Sequence, residues 1–503
     1  MDIGIKTGKS PFPGKGQVLI YFVFEEEWKK DQGLKILDEL SAGFIGKKIV
    51  NQHFDAKAGK IVVVDINKPE YDQVILVGAG KKDEFSLARF KNLLAETVRT
   101  SGKLGLDELS LFYFPALGDD HFNIGKNLSL AFHLANYRFD KYKSKKNRRP
   151  DRVTKLVFLK DDKITSSLLG GISFGELVSQ GISLTRDLVN EPASHLHPVT
   201  LESVAFQIEK TSSERIKVEV LDKEECVRLG MGAFLGVAQG SEREAKFIVL
   251  KYLGPKAKKT VSLIGKTIIF DSGGLSLKPS SAMETMKCDM AGGATVLGIF
   301  KILSKIPDLP LNVYGLLPVC ENMPSGGAIR PGDVLTAVNG KTIEVLNTDA
   351  EGRLTLADAL SYSEKYLKSD LSIDLATLTG ACIVALGKEI SGLMGNDKKT
   401  MDLYQKIADK EGDLVWPLPM HKDYLEKMKQ GSIADIKNVS GSSSGGGAIT
   451  AALFLSEFVD RMKWLHIDIA GPAFWTDRDK GVISHGGTGW GVVSIIELLK
   501  NLS

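Results

Sequence analysis

The chain has 503 residues, 43% of them hydrophobic and 25% charged, which excludes whole-chain disorder. At ~150 residues per domain its length excludes a single ordinary core and predicts two or three domains. The 65 basic and 62 acidic residues leave a net charge of +3, a balance that predicts no polyanionic partner.

No segment approaches the ~20 apolar residues that span a bilayer, so no membrane partner is expected. The opening MDIGIKTGKSPFPGKG has no apolar signal region. Cys226, Cys288, Cys320 and Cys382 lie far apart with no C-x-x-C pair, which argues against a disulfide framework or a structural zinc site. These features predict a cytoplasmic protein.

Over residues 1–165, QVLIYFVF, KIVVVD, QVILVG, LSLFYF and KLVFLK read as strands. Leu87–Val98 and Ile124–Asn136 read as helices, giving a smaller N-terminal α/β domain. A charged loop, 141–152, follows, and then a connecting helix over about 168–190 that ends before Pro192. The domain boundary falls here, with residues 166–503 as the larger domain. In that part KFIVLKY, VSLIGKTIIF, LNVYGLLPV, SIDLATL and WLHIDIAG are strand candidates. DMAGGATVLGIFKILSKI, RLTLADALSYSEKYL, AITAALFLSEFVD and GVVSIIELLKNL are helix candidates. VLTAVNGKTIEVL predicts a hairpin with Asn339-Gly340 in a type I′ turn. The fold class is α/β in two domains, the larger built on a mixed, largely parallel sheet.

The chemistry concentrates between Lys266 and Arg353. Asp271 closes an apolar strand ahead of Ser272-Gly273-Gly274, where ligands collect in open α/β sheets. Asp289 stands at the start of the next helix. Asp349, Glu351 and Arg353, spaced by two in an extended segment, are expected on one face. The four carboxylates suit two divalent cations sharing a bridging oxygen. Lys266, alone inside an apolar strand, is a candidate amine ligand, and Lys278 a candidate oxyanion stabiliser. Each has an ordinary reading on its own: Asp289 as an N-cap, Lys266 as a snorkelling side chain, Asp349 and Glu351 as solvated charges, Asp271 as a turn former. The set argues against all four holding together.

These residues resemble the leucyl aminopeptidases, the two-metal cytosol aminopeptidases. NTDAEGRL stands complete at Asn347–Leu354, and IGKTIIFDSGGLSLKPSSAMETMKCDMAGGA matches over Ile264–Ala294. RDLVNEPA, DLATLTGA, ADIKNVSG and HIDIAGPAFW add to the likeness, which covers the whole second domain. The resemblance implies a macro-like N-terminal domain and a hydrolase, a metalloprotease removing N-terminal residues such as Leu. It implies Lys266, Asp271, Asp289, Asp349 and Glu351 as metal ligands, with Asp271 and Glu351 bridging, and Lys278 and Arg353 as the catalytic pair. Arg353 would hold bicarbonate as general base, and Met286, Thr377 and Gly380 would line the side-chain pocket. The cofactors so implied are two divalent ions, manganese or zinc with magnesium and cobalt as further options, and the partners are peptides with a free N-terminus in a homo-hexamer. Thr267 departs from the family, which has Gly after the ligand Lys.

Three rival signals are present. Gly441-Ser442-Ser443-Ser444-Gly445 satisfies the serine-hydrolase motif, with His466 and His485 downstream as partners for Ser443. Gly78-Ala79-Gly80 is half a dinucleotide fingerprint, with Asp83 where the third Gly belongs, and reads as a structural turn. The basic loop 141–152 carries an alternative DNA-binding side role; lacking an aromatic platform beyond Tyr142, it reads as a solvated loop without nucleic acid.

Overall fold

The computed structural model describes all residues except 8–17, 26, 67–71, 149–151, 161–164, 441–444 and 503. The chain forms two compact units, Met1–Ser179 with Arg478–Ser484, and Gln180–Asp477 with His485–Ser503. No helix among the described residues is long and apolar enough to cross a membrane.

The first unit holds β1 (Asp2–Thr7), β2 (Val18–Phe24), β3 (Ile61–Asp65), β4 (Gln73–Gly80), β5 (Glu108–Phe112) and β6 (Lys155–Lys160), in the order β1-β6-β5-β2-β4-β3. Only the β3–β4 pair is antiparallel. Alternation along β2 explains its unbroken apolar run. Ile20 and Phe22 pack with Phe90, Leu94 and Phe132 on one face, while Leu19 and Val23 pack with Leu34, Leu37 and Ile49 on the other. Helices Leu87–Lys103 and His121–Ala135 cover the first face, as expected from sequence. The second face is covered by Gln32–Leu40 and Phe44–Asn51, two short helices that the pattern reading missed. Gly78 is a packing glycine: a Cβ there would lie 2.1 Å from Lys57 O.

A distant segment completes this unit. Arg99, buried on the helix Leu87–Lys103, donates from Nη2 to Gly481 O (2.9 Å) and pairs through Nε with Asp479 (3.4 Å). Gly481 N donates to Glu96 Oε1 at 3.0 Å, closing the strap formed by Arg478–Ser484.

The second unit holds β7 (Ile216–Leu221), β8 (Lys246–Leu253), β9 (Thr260–Gly265), β10 (Thr267–Asp271), β11 (Asn312–Asn322), β12 (Val334–Thr336) and β13 (Thr342–Glu344). It continues with β14 (Leu371–Ala376), β15 (Ser391–Gly395), β16 (Val415–Pro417), β17 (Ile436–Lys437) and β18 (Lys463–Asp468). The large sheet runs β16-β15-β18-β14-β9-β11-β8-β7, with β10 also on β11. Its centre, β18-β14-β9-β11, is parallel, and antiparallel pairs lie at β11–β8, β8–β7 and β15–β18. Helix Ala291–Leu303 is apolar nearly all round and correspondingly buried, whereas Val492–Leu502 buries one side and turns Glu497, Lys500 and Asn501 outward.

Two local expectations are corrected. VSLIGKTIIF is not one strand: β9 ends at Gly265, β10 begins at Thr267, and both pair with the long β11. Lys266 sits in the break, its N–H bonded to Leu375 O and its carbonyl accepting from Gly293 N. The β12–β13 hairpin exists, but its turn is not type I′. Only Gly340 has positive φ (+90°), and its N–H closes a turn on Ala337 O (2.8 Å) inside a five-residue loop.

Asp358, on the helix Gly352–Lys365, is fully buried and accepts from Phe234 N and Val338 N, each at 2.8 Å. Burial lifts its carboxyl to about 7 against the pull of these backbone bonds. A folded-state value above the unfolded one means the native chain binds this proton more tightly. Its contribution therefore favours the fold at low pH and fades as pH rises from about 4 to about 7. Urea unfolding of wild type and Asp358→Asn at pH 5, 6, 7 and 8 should show the wild type losing stability relative to the variant as pH rises. A constant difference across that range would refute this.

Candidate metal centre

The site gathers at the carboxyl ends of β10, β14 and β18. Asp271 ends β10, and the chain then reverses through Gly273 (φ +88°) and Gly274 (φ +64°), a conformation that side chains resist. Asp271 Oδ1 accepts from Gly273 N (2.9 Å) and from Asn322 Nδ2 (2.8 Å), its register partner on β11. Asn322 Nδ2 also reaches Thr348 O (3.0 Å), and Thr348 Oγ1 donates to Gly273 O (2.7 Å). The glycine turn and the Asn347–Asp349 loop are thus tied together. Asp271 Oδ2 faces Lys278 Nζ at 2.8 Å, and Asp349 Oδ1 faces the same ammonium at 2.5 Å.

Lys266 does not snorkel. It is 3% exposed, with Nζ 2.7 Å from Asp289 Oδ2, 2.8 Å from Glu351 Oε1 and donating to Thr377 O at 3.1 Å. Its approach requires glycine at 352, where a Cβ would lie 2.3 Å from Lys266 Cε. Thr267, the departure from the family pattern, is buried with Oγ1 donating to Gly265 O (2.7 Å). Gly293 makes room for it, since a Cβ there would fall 2.2 Å from that hydroxyl.

Asp289 is not an N-cap. It closes the short turn Met286–Cys288, Met290 caps the following helix, and Asp289 Oδ1 accepts from Thr377 Oγ1 at 2.7 Å. The expected extended face for Asp349, Glu351 and Arg353 is also corrected. Glu351 is already helical (φ −86°, ψ −36°) and caps the helix Gly352–Lys365, so Arg353 lies in its first turn. The three diverge: Asp349 goes to Lys278, Glu351 to Lys266, and Arg353 inward, where Nη1 donates to Asn438 O at 2.7 Å.

Oxygens of Asp271, Asp289 and Glu351 lie within 4.8 Å of one another, all three residues buried; Asp349 approaches from the half-exposed rim. Burial, then the Glu351 charge, raises the Asp271 carboxyl above its usual range. Burial raises Asp289 and Asp349 too. For both lysines burial opposes the charged form, and the surrounding carboxylates outweigh it and hold them protonated. Four carboxylates against two ammoniums leave negative charge in a desolvated place. Asp289 Oδ2 and Glu351 Oε1 lie 2.7 and 2.8 Å from the Lys266 ammonium, and Asp349 Oδ1 lies 2.5 Å from that of Lys278. Hard oxygens with one amine form a donor set that fits divalent cations.

Of the remaining candidates, Met286 opens the turn before Asp289, Thr377 follows β14, and exposed Gly380 opens the helix Gly380–Leu386. Arg353 is buried, Nε has no partner among the described residues, and desolvation draws its guanidinium down to about 10. Ser443 and the first four residues of its motif, 441–444, lie outside the described residues. His466 is fully buried on β18 against Asp374 (2.6 Å), whose other oxygen accepts from Trp464 Nε1 (2.7 Å), while His485 is exposed. In the basic loop, residues 149–151 are outside the described set and Lys141–Arg148 are exposed.

Three organising residues were not singled out from sequence: Asn322, Asn438 and Asp468. Asn438, fully buried, accepts from Leu346 N (2.8 Å) and donates to Asn347 O (2.6 Å), holding the loop that presents Asp349. Asn322 and Asp468 close strands and Asn438 follows β17; for the last two the blocks ADIKNVSG and HIDIAGPAFW were the available signal.

The sequence profile of the cytosol aminopeptidase family, catalytic domain, matches residues 183–496, and that of its N-terminal domain matches 19–146. A probable cytosol aminopeptidase of Persephonella marina is 40% identical over 508 residues, and one of Azotobacter vinelandii 41% over 507, each alignment covering 100% of both chains. Among solved structures, a mutant of tomato leucine aminopeptidase matches with a TM-score of 0.88 and 33% identity, covering 100% of this chain and 96% of that one. A bottromycin maturation enzyme in complex with Mn matches at 0.81 and 32%, covering 90% and 96%. With both domains matched along its length and a buried carboxylate–lysine cluster at its strand ends, the chain belongs to the cytosol aminopeptidase family and is a hydrolase, an aminopeptidase.

Proposed function

We propose that this aminopeptidase works in the cytoplasm, as a homo-hexamer, on peptides and amino-acid amides, releasing N-terminal residues with apolar side chains such as Leu. The observation that carries the reading is the buried trio Asp271, Asp289 and Glu351, undercompensated by Lys266 and Lys278. With Asp349, and with Lys266 once its ammonium has given up a proton, this trio would hold two divalent ions. The Mn complex of a structural relative supports Mn²⁺ here, and the mixed donor set also suits Zn²⁺, with Mg²⁺ and Co²⁺ as further options. Such ions supply Lewis acidity toward a carbonyl and its attacking water.

The chain's own groups divide the remaining work. Lys278, between Asp271 and Asp349 and 14% exposed, is placed to stabilise negative charge growing on the scissile carbonyl oxygen. Arg353 has a free donor in Nε and would hold bicarbonate, giving the site a base for the proton of the attacking water. Met286, Thr377 and Gly380 would receive the first side chain. A requirement for the free amine makes the enzyme an exopeptidase.

Exhaustive chelation should abolish hydrolysis of leucine amide, and Mn²⁺ or Zn²⁺ should restore it. N-acetylated peptides should resist the restored enzyme. Full activity in metal-free protein, or equal cleavage of blocked and free peptides, would overturn the reading.

Gly352→Ala tests the role of Lys266 without replacing any ligand residue. Its methyl must displace the Lys266 stem, so metal affinity should fall on the order of 10–100-fold while the protein stays folded. Metal titration monitored by calorimetry, with circular dichroism as the folding control, would measure this.

Lys278→Ala and Arg353→Ala should bind metal like the wild type and lose kcat, by ~10²–10³ for Lys278 and on the order of 10²–10⁴ for Arg353. Added bicarbonate should stimulate the wild type and leave Arg353→Ala nearly unchanged. Loss of metal from either variant would make that residue a ligand instead.

A further inference from the structure

Asp468 ends β18 and is fully buried, yet among the described residues no cation bonds to it. Its oxygens are spent on the chain that follows β14 and on the turn after β18. Oδ1 accepts from Leu378 N (3.2 Å) and Ala470 N (3.1 Å), and Oδ2 accepts from Thr379 Oγ1 (2.7 Å). Ile469 N donates to Ala376 O at 2.8 Å, so the ends of the two parallel strands are stitched together just beyond the ladder. A buried carboxylate used only to fix backbone is costly unless the conformation it fixes matters.

That conformation serves two neighbours. One residue before the clamp, Thr377 donates its hydroxyl to Asp289 Oδ1 (2.7 Å) and its carbonyl accepts from Lys266 Nζ (3.1 Å). Within the clamp, Thr379 Oγ1 accepts from Cys382 N (3.0 Å), capping the helix that begins at Gly380. A Cβ at Gly380 would meet nothing within 4 Å, so this helix start presents an open face beside the site. The Thr379 hydroxyl is the hinge pin: it donates to Asp468 and accepts from the helix in one group.

We propose that Asp468 and Thr379 are positioning residues that set selectivity for the substrate's first side chain, by holding Thr377–Gly380 between the carboxylate cluster and the pocket. This rests on the aminopeptidase reading and on the pocket lying at that segment. Neither residue touches substrate; loosening the clamp widens the pocket wall and leaves the charged groups of the cluster in place.

The test uses full-length, Mn²⁺-loaded wild type, Thr379→Val, Thr379→Ser and Asp468→Asn, with kcat and KM for leucine amide and alanine amide and metal content in parallel. Val keeps the shape of Thr and removes both hydrogen bonds, whereas Ser keeps them. Thr379→Val and Asp468→Asn should retain metal and lose about tenfold in the ratio of kcat/KM for leucine over alanine amide, mostly through KM for the former. Thr379→Ser should keep the wild-type ratio. An unchanged ratio in Thr379→Val, or an equal loss in Thr379→Ser, overturns the proposal. Should Asp468→Asn fail to fold, the Val and Ser pair decides alone. A wild type inactive on both amides would overturn the functional reading itself, an outcome distinct from an active enzyme with an unmoved ratio.

Discussion

One buried ammonium organises the second unit. Taking a lysine out of water costs several kcal/mol unless opposite charge and hydrogen bonds surround it. Lys266 meets that condition at a break between two strands, where its backbone stays bonded to Leu375 and Gly293 while its side chain turns to Asp289, Glu351 and Thr377 O. Several sequence constraints follow. Gly352 must lack a side chain for the stem to pass, and Gly292 must lack one because a Cβ would fall 2.0 Å from Leu375 O. Glu351 can reach the ammonium only because it is the residue at which the chain turns into a helix. Asp271, Asp289 and Asp349 in turn depend on Lys266 and Lys278, since burial pushes each toward protonation and the ammoniums oppose it.

Around this core, neutral amides do the aligning. Asn322 binds Asp271 and the Thr348 carbonyl, and Asn438 binds both sides of the loop carrying Asp349 while its carbonyl receives Arg353. An amide offers donor and acceptor without adding charge, which suits a place where like charges already crowd. The carboxylates are thereby held in position by groups that do not neutralise them.

Much of this was legible in the sequence, for physical reasons specific to each element. Strands buried on both faces, such as β2 and β11, leave long apolar runs that no amphipathic helix produces. Asp271 before paired glycines, and the Asn347–Leu354 block, marked the strand-end loops where ligands gather. Other features were opaque. A strand break costs only one residue, and nothing in VSLIGKTIIF distinguishes a kink at Lys266 from a continuous ladder. Two-residue spacing predicts a common face only if the backbone is extended, and Glu351 is already helical. Asn339-Gly340 satisfies the composition of a two-residue turn, but the strands stop short of it and the loop is longer. Helices Gln32–Leu40 and Phe44–Asn51 are amphipathic but only nine and eight residues long, too short for a helical period to declare itself in the sequence. Asn438 and Asp468 act through contacts 85 to 92 residues away in sequence, which local pattern cannot register.

The strap Arg478–Ser484 gives the first unit an unusual history during synthesis. Its main chain, Met1–Ser179, emerges from the ribosome long before the strap does. At ordinary elongation rates of ~5–20 residues per second, the interval is on the order of tens of seconds. Throughout it the helix Leu87–Lys103 lacks its covering segment, and Arg99 has neither the Gly481 carbonyl nor Asp479 beside it. A nascent chain would therefore hold an almost finished N-terminal unit with one charged groove still open to chaperones. Closure of that groove comes only when translation is nearly complete.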